Sequence, residues 1–180
     1  MRLYLNNTVF VVVDIQERLF PHIHEHLMLE QNCHKLLSGV RILEAPLIVT
    51  EQYPKGLGPT ISSIQSELSE IKPIEKITFS CCANEEFTGT LKNLGRHNVI
   101  LCGIEAHVCV LQTAIDLKEM GFQPVVVVDC ISSRRQKDKE VALIRLQQEN
   151  VLITNYESVL FELCSVAGTD TFKAISHLVK

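Results

Sequence analysis

Apolar residues along this chain are concentrated in short, unbroken runs, and the strongest runs each stop at a polar residue or a glycine. These runs are Val9–Val13 before Asp14, Val99–Cys102 before Gly103, and Val125–Val128 before Asp129. A run that is apolar at every position is typical of an interior strand of a parallel sheet, because helices cover both faces of such a sheet. Leu47–Thr50 and Val151–Thr154 predict two more strands, and Ile77–Phe79 predicts a weaker one.

Between these runs, apolar residues recur at the spacing of an amphipathic helix. The helical series are Cys33, Leu36, Val40 and Leu43, then Phe87, Leu91 and Leu94, and finally Val110, Ala114 and Leu117. Gly121 stands where a helix-ending glycine is expected after the last series. Strands that alternate with helices predict an α/β fold with three layers. We expect its sheet to be doubly wound, six-stranded and mainly parallel, as in Rossmann-like folds.

The length and composition narrow the possible classes of protein. The chain has 180 residues and no linker-like or repetitive tract, which predicts a single domain spanning residues 1–180. Its 46% hydrophobic and 21% charged residues exclude a disordered chain. A net charge of −4 argues against a nucleic-acid partner, and the apolar runs are too short to cross a membrane. The sequence does not open with the pattern of a secretory signal. From the net charge and the short apolar runs, we expect neither nucleic acid nor membrane as a partner.

Seven cysteines are the unusual part of this composition. Their number is odd, their spacing is irregular and they include no Cys-x-x-Cys pair, which argues against a disulfide framework. We therefore expect a reducing, cytoplasmic location. The question that remains is whether one of the seven thiols is reactive.

Candidate chemistry lies where the predicted strands end, because ligands of open parallel sheets bind beyond the carboxyl ends of the strands. Those positions carry Asp14, then Glu51 and Gln52, then Gly103 to Glu105 followed by His107 and Cys109, and finally Asp129 to Arg134. Lys76 lies just before the weak strand.

Cys109 is the leading candidate because it falls in the first turn of the helix that carries Val110, Ala114 and Leu117. Free backbone N–H groups and the helix dipole at such a position lower the pKa of a thiol and can also hold an oxyanion. The alternative is a small buried hydrophobic residue, which is the usual role of a free cysteine.

Asp14 and Lys76 are ambiguous when each is considered alone. Asp14 ends a wholly apolar strand, and a partly desolvated carboxyl group there suits the acceptance and return of a proton. The alternative for Asp14 is a helix N-cap. Lys76 is an ordinary solvated charge unless it has a buried partner such as Asp14.

Three closely spaced histidines, His22, His24 and His26, raise the question of a metal site. No further ligands with recognisable spacing accompany them, so we predict solvent-facing histidines near a helix start, with neither a metal nor a cofactor.

Five segments together resemble the isochorismatase-like cysteine hydrolase superfamily, and most closely its isochorismatase domain-containing branch. The segments are VVVDIQERL with Asp14, TEQYPKGLGPT, EKITFS with Lys76, LCGIEAHVCVLQTAIDL with Cys109, and a strand followed by D-x-x-S-S-R. The resemblance covers Val9 to Leu163, which is nearly the whole chain.

This resemblance implies a six-stranded parallel sheet with an Asp14–Lys76–Cys109 triad at its carboxyl edge. It also implies a cis peptide bond between Ile104 and Glu105, and an oxyanion hole formed by backbone N–H groups near Ala106 and Cys109. Walls of the substrate pocket are expected from five side chains. They are Gln16, Phe20, Tyr53, Phe79 and His107.

The implied reaction is hydrolysis of a small amide or another non-peptide carbon–nitrogen compound through a thioester. Metal-dependent nicotinamidases place histidines after the second strand, where this chain reads Glu51-Gln52-Tyr53-Pro54, so neither metal nor nicotinamide is expected. Isochorismatases that cleave a vinyl ether lack the nucleophilic cysteine. The family also implies a homo-oligomer. The alternatives are a nicotinamidase-type amidase, a binding protein without significant turnover, and a thiol redox protein.

Overall fold

The computed structural model describes residues 1–68 and 70–180. Its strands are β1 (Thr8–Val13), β2 (Leu47–Gln52), β3 (Ile74–Lys76), β4 (Asn98–Ile104), β5 (Gln123–Ser132) and β6 (Leu152–Thr154). Its α-helices are α1 (His26–Ile42), α2 (Pro54–Leu57), α3 (Ser62–Gln65), α4 (Glu85–Leu94), α5 (Leu111–Glu119), α6 (Gln136–Gln148), α7 (Tyr156–Cys164) and α8 (Asp170–Val179). Short 3₁₀ turns cover Leu5–Asn7, Phe20–His22 and Cys81–Ala83, and a π-helical turn covers Ala106–Val110.

The six strands form one sheet in the order β3-β2-β1-β4-β5-β6, and every neighbouring pair is parallel. The predicted α/β architecture with a six-stranded parallel sheet is therefore confirmed. The strand order reverses between β1 and β4, which is the position where doubly wound sheets open a crevice for ligands.

Helices pack on both faces of the sheet, and their packing explains why residues Val9–Val13 of β1 are all apolar. Phe10 and Val12 join the core that contains residues of α1, α7 and α8, whereas Val9, Val11 and Val13 join the core that contains residues of α4, α5 and α6. Because successive side chains of a strand point to opposite faces, a strand covered on both faces leaves its side chains without access to water.

The third strand differs from its sequence prediction. Ile77–Phe79 is not a strand; β3 is Ile74–Lys76, so Lys76 ends the strand instead of preceding it. β3 is an edge strand in which Ile74 and Lys76 are buried and Glu75 is exposed. Ile77 and Phe79 are 73% and 52% exposed. The strand prediction was wrong because it took these apolar residues to be buried.

Three further features of the fold bear on the sequence predictions. Gly121 follows α5 with φ of +83°, as expected of a helix-ending glycine. All seven thiols are free. Within the described part of the chain, the helices are too short or too polar to cross a bilayer.

Gly103 allows β4 to approach the end of β1 closely, next to Asp14. It pairs with Val13 and has φ of +122°, and a Cβ added there would lie 2.1 Å from the Val13 carbonyl oxygen. Both the backbone conformation and the space therefore require glycine.

We predict that Gly103→Ala lowers the free energy of unfolding by about 2–3 kcal/mol, because the methyl group must displace backbone atoms. A shift of this size lowers the Tm of a domain of this length by roughly 5–10 °C. Gly89→Ala is the matched control, since a Cβ at Gly89 on α4 meets nothing within 4 Å. Equal Tm values for the two variants in thermal unfolding would contradict the prediction.

Candidate active site

The carboxyl edge of the sheet holds a buried ion pair that joins two non-adjacent strands. Asp14 directly follows β1, and Lys76 ends β3; the Lys76 ammonium donates to Asp14 Oδ2 at 2.6 Å. The two side chains are 1% and 0% exposed, respectively. The ammonium also donates to the carbonyl oxygens of Thr78 and Phe79 at 3.0 and 3.1 Å. All three of its protons are thus used, and Lys76 is not a solvated surface charge.

Asp14 is not a helix N-cap. Its backbone has φ of +52°, and its carbonyl oxygen accepts from the Gln16 N–H at 2.9 Å in a tight turn. The carboxylate instead faces Lys76 and Thr50, whose hydroxyl donates to Asp14 Oδ1 at 2.7 Å. Each carboxylate oxygen therefore has one fixed donor, so the orientation of the carboxylate is set by two neighbouring strands.

Sequence reasoning missed Thr50. It is fully buried on β2, where the preceding residues Ile48 and Val49 are apolar. A hydroxyl at the end of the predicted apolar run Leu47–Thr50 was the only signal that could have singled it out.

Cys109 lies in the π-helical turn Ala106–Val110, which follows β4 and leads directly into α5. The Glu105 carbonyl oxygen accepts hydrogen bonds from the N–H groups of Val108 and Val110, at 3.1 and 3.2 Å. Among the described residues, it accepts none from the Cys109 N–H between them. A π-helical turn shifts the hydrogen-bond pattern in this way and is frequent at functional sites.

The Cys109 thiol is 5% exposed and donates to Gln52 Oε1, with 3.3 Å between sulfur and oxygen. Gln52 ends β2, so Asp14, Gln52 and Cys109 come from three adjacent strand ends. The Gln52 backbone is fixed in turn by the buried Gln16 amide, which accepts from the Gln52 N–H at 2.7 Å and donates to its carbonyl oxygen at 3.0 Å.

The expected low pKa of the Cys109 thiol was wrong. Burial raises this pKa well above its usual range, and the nearby Asp14 charge raises it further, whereas Lys76 lowers it. Burial and a neighbouring anion both disfavour a thiolate. They outweigh the start of the helix, so the Cys109 thiol is protonated at neutral pH.

The segment before Cys109 carries the predicted cis peptide bond, which joins Ile104 to Glu105. Glu105 is buried, and its Oε2 accepts from the backbone N–H and from Nε of Arg134, at 3.0 and 3.1 Å. Ala106 is completely buried at the start of the π-helical turn. The Glu105 carboxylate is therefore paired with Arg134, and this pair connects the start of the π-helical turn to the residues that follow β5.

Four of the five predicted pocket residues fall into two groups, one buried and one exposed. Gln16 is fully buried and bonded to backbone, and Phe20 is a core residue whose ring packs edge-on against His26 with centroids 5.4 Å apart. Tyr53 and Phe79 are each 52% exposed, and Tyr53 and Lys76 line a cavity of about 390 Å³. The structure thus brings Tyr53, but neither Gln16 nor Phe20, to an open surface beside the ion pair.

His107 is the fifth predicted pocket residue, and it faces the segment that follows β5. Its Nδ1 lies 2.9 Å from the Ser133 hydroxyl, and its Nε2 lies 3.9 Å from an Asp138 oxygen. The side chain is 27% exposed, so it stands at the rim of the site.

The histidines near the start of α1 do not form a cluster with other ligands. His22 is exposed, whereas His24 and His26 are half-buried. Throughout residues 1–68 and 70–180, no group of three or more His, Cys, Asp or Glu side chains is placed to hold a metal ion. Glu51 follows the apolar run of the second strand. Its Oε1 accepts hydrogen bonds from the N–H and the hydroxyl of Thr60, at 2.6 and 2.7 Å.

Cys81 is a second thiol near the ion pair. It is completely buried, and its sulfur lies 3.8 Å from the Thr50 hydroxyl oxygen. Burial raises the pKa of the Cys81 thiol to about 11, and the Asp14 charge adds to this effect. The other thiols of the core, Cys33, Cys102 and Cys130, are buried and their pKa values are likewise raised.

Comparisons with known proteins agree with the fold described above. The isochorismatase domain pattern matches residues 8–158. Isochorismatase domain-containing protein 2 of Danio rerio is 41% identical over 179 residues, which cover 99% of this chain and 89% of that protein. The structure described as a MAR1 ribonuclease from Caenorhabditis elegans superimposes with a TM-score of 0.93 at 39% identity, covering 99% of this chain and 92% of that one.

The YcaC gene product of Escherichia coli, described as an octameric hydrolase of unknown specificity, also superimposes with a TM-score of 0.93. It is 23% identical, and the match covers 99% of this chain and 89% of that one. At this identity the likeness establishes a shared fold.

We predict that Asp14→Asn increases the reactivity of Cys109 toward iodoacetamide at pH 8. Removing the carboxylate charge lowers the thiol pKa, and each pKa unit changes the thiolate fraction by about tenfold below the midpoint. In the unchanged protein, labelling should still be increasing above pH 9 because the folded-state pKa is raised. Peptide mass spectrometry measures the rate, and Cys164 on α7 in the same sample is the control. Slower labelling of Cys109 in the variant would contradict the electrostatic account.

Proposed function

We propose that this chain, which belongs to the isochorismatase domain family, is a metal-independent cysteine hydrolase of a small amide or another non-peptide carbon–nitrogen compound. The family and the hydrolase neighbour support hydrolysis as the type of reaction. The nucleophile, the bond and the substrate class are our proposal.

One observation carries this proposal: a nearly enclosed thiol lies beside a buried carboxylate that is fixed by an ammonium group. Cys109 supplies the thiol from the turn after β4, Asp14 supplies the carboxylate directly after β1, and Lys76 supplies the ammonium at the end of β3. The charges of Asp14 and Lys76 both act on the Cys109 thiol. Three such groups at one sheet edge match a nucleophile, its base and the group that orients the base. A purely structural ion pair would not require a neighbouring thiol.

The first half of the reaction forms a thioester. The Asp14 carboxylate accepts the proton of the Cys109 thiol as the sulfur attacks the carbonyl carbon of the substrate. The carbonyl π electrons move to oxygen, and N–H groups of the π-helical turn, including that of Cys109, stabilise the resulting oxyanion. The oxyanion then collapses, the carbon–nitrogen bond breaks, and Asp14 returns the proton to the leaving nitrogen.

The second half regenerates the thiol. Water attacks the thioester carbon while Asp14 accepts one of its protons, and the tetrahedral oxyanion forms again in the same place. When the carbon–sulfur bond breaks, the sulfur leaves with the bonding electrons and takes back the proton from Asp14. The products are the carboxylic acid and the amine or ammonia.

Lys76 holds the Asp14 carboxylate in place through the 2.6 Å hydrogen bond to Oδ2. All three ammonium protons are donated inside the protein, so Lys76 is a positioning and charge-balancing group and not a substrate-binding one. The high thiol pKa fits this scheme, because proton transfer to Asp14 then accompanies attack on the carbonyl instead of preceding it.

A metal-independent reaction is favoured by the donor set. At the end of β2, Glu51 Oε1 accepts two hydrogen bonds from Thr60 and Gln52 Oε1 accepts from the Cys109 thiol, so these oxygens are already used inside the protein. A nicotinamidase-type amidase is the alternative substrate assignment within the same mechanism.

We also propose a homo-oligomer. Val141 and Ile144 on α6, together with Leu152 and Ile153 on the edge strand β6, expose apolar side chains. The octameric description of the Escherichia coli neighbour is consistent with this proposal. The cytoplasmic location stays a prediction from the free thiols.

The test is release of ammonia or acid from a panel of small amides. Cys109→Ser should lower kcat by about 10³-fold or more for any substrate found, because it replaces the nucleophile. Cys164→Ser, a half-buried thiol at the end of α7, is the matched control and should keep full activity. Undiminished turnover by Cys109→Ser would rule out the thioester mechanism.

A further inference from the structure

We infer that Thr50 is a positioning residue for the reaction, because its hydroxyl fixes the oxygen of Asp14 that Lys76 leaves free. This inference rests on the proposed function, and it adds to the triad a residue that does not contact the reacting carbon or nitrogen.

Two bonds connect Thr50 to Asp14. The Asp14 N–H donates to the Thr50 carbonyl oxygen at 3.2 Å, which continues the pairing of Val13 with Thr50 between β1 and β2. The Thr50 hydroxyl donates to Asp14 Oδ1 at 2.7 Å. Backbone and side chain of Asp14 are therefore both held by the same residue.

The hydroxyl proton has one good acceptor. Its second neighbour is the Cys81 sulfur at 3.8 Å, and sulfur is a much weaker acceptor than a carboxylate. Thr50 is completely buried, so solvent does not compete for the proton. A hydrogen bond to a charged acceptor in such a place is short and strong, and the 2.7 Å distance agrees with that.

The hydroxyl also explains why this position is not valine. Ile48 and Val49 precede it on β2, and a valine at position 50 would have the same shape as threonine in the core. A buried hydroxyl stabilises a fold only when it is hydrogen-bonded, and here its bond is made to Asp14.

With both oxygens held, the carboxylate cannot rotate about its Cβ–Cγ bond without breaking a buried hydrogen bond. Lys76 fixes Oδ2 and Thr50 fixes Oδ1, which leaves the remaining lone pairs at constant positions. Proton transfer requires donor and acceptor to be in hydrogen-bond reach at the moment of attack. Thr50 therefore acts on the rate of the chemical step and not on substrate binding.

The test compares Thr50→Val with Thr50→Ser in the full chain, using the amide that the panel identifies. Thr50→Val keeps the shape and removes the hydroxyl; we expect kcat to fall about tenfold with KM within about twofold, because general-base positioning is lost. Thr50→Ser keeps the hydroxyl and should restore kcat to within about threefold of the unchanged protein. A merely structural role would impair both variants in proportion to their loss of Tm.

The two claims fail in different ways. A Thr50→Val variant with unchanged kcat, or a Thr50→Ser variant as slow as Thr50→Val, overturns the role of Thr50 while an inactive Cys109→Ser still supports the hydrolase. If Cys109→Ser itself keeps full turnover, the proposed function fails and the inference fails with it. Iodoacetamide labelling provides a readout without substrate: in Thr50→Val, Cys109 should be labelled at a rate no lower than in the unchanged protein.

Discussion

The buried ion pair between Asp14 and Lys76 is the interaction on which the rest of this site depends. Removing two charges from water carries a large desolvation penalty, and such a pair persists only with close geometry and further hydrogen bonds. The protein supplies both, since the ammonium has two carbonyl acceptors and the carboxylate has the Thr50 hydroxyl. The parallel sheet makes this possible, because it aligns the ends of β1, β2 and β3 at one edge.

The ion pair also sets the state of the nucleophile. Burial and the Asp14 charge raise the pKa of the Cys109 thiol, so the molecule at rest has a neutral thiol instead of an exposed thiolate. A neutral, enclosed thiol reacts slowly with oxidants and alkylating agents. In the proposed mechanism, the carbonyl carbon of a bound substrate is what makes loss of the thiol proton favourable.

Much of this arrangement could be predicted from the sequence, because apolar runs of strand length report burial on both faces. The runs before Asp14 and Gly103 located the strands correctly, whereas Ile77 and Phe79 misplaced the third strand because they are apolar yet exposed. Long-range contacts were beyond such reasoning. Neither the Thr50 hydroxyl's partner nor the desolvation of Cys109 has a local signal, since each arises from strands brought together by folding.

The central claim is that Cys109 forms a covalent acyl intermediate, and intact-protein mass spectrometry tests it most directly. The protein is mixed with an amide that it hydrolyses, and the reaction is quenched in acid, in which thioesters survive. The account predicts a mass gain equal to the acyl group, located by peptide mapping on Cys109 and absent from Cys109→Ala. Rapid turnover with no acyl adduct under single-turnover conditions, or an adduct on Cys81 instead, would contradict it.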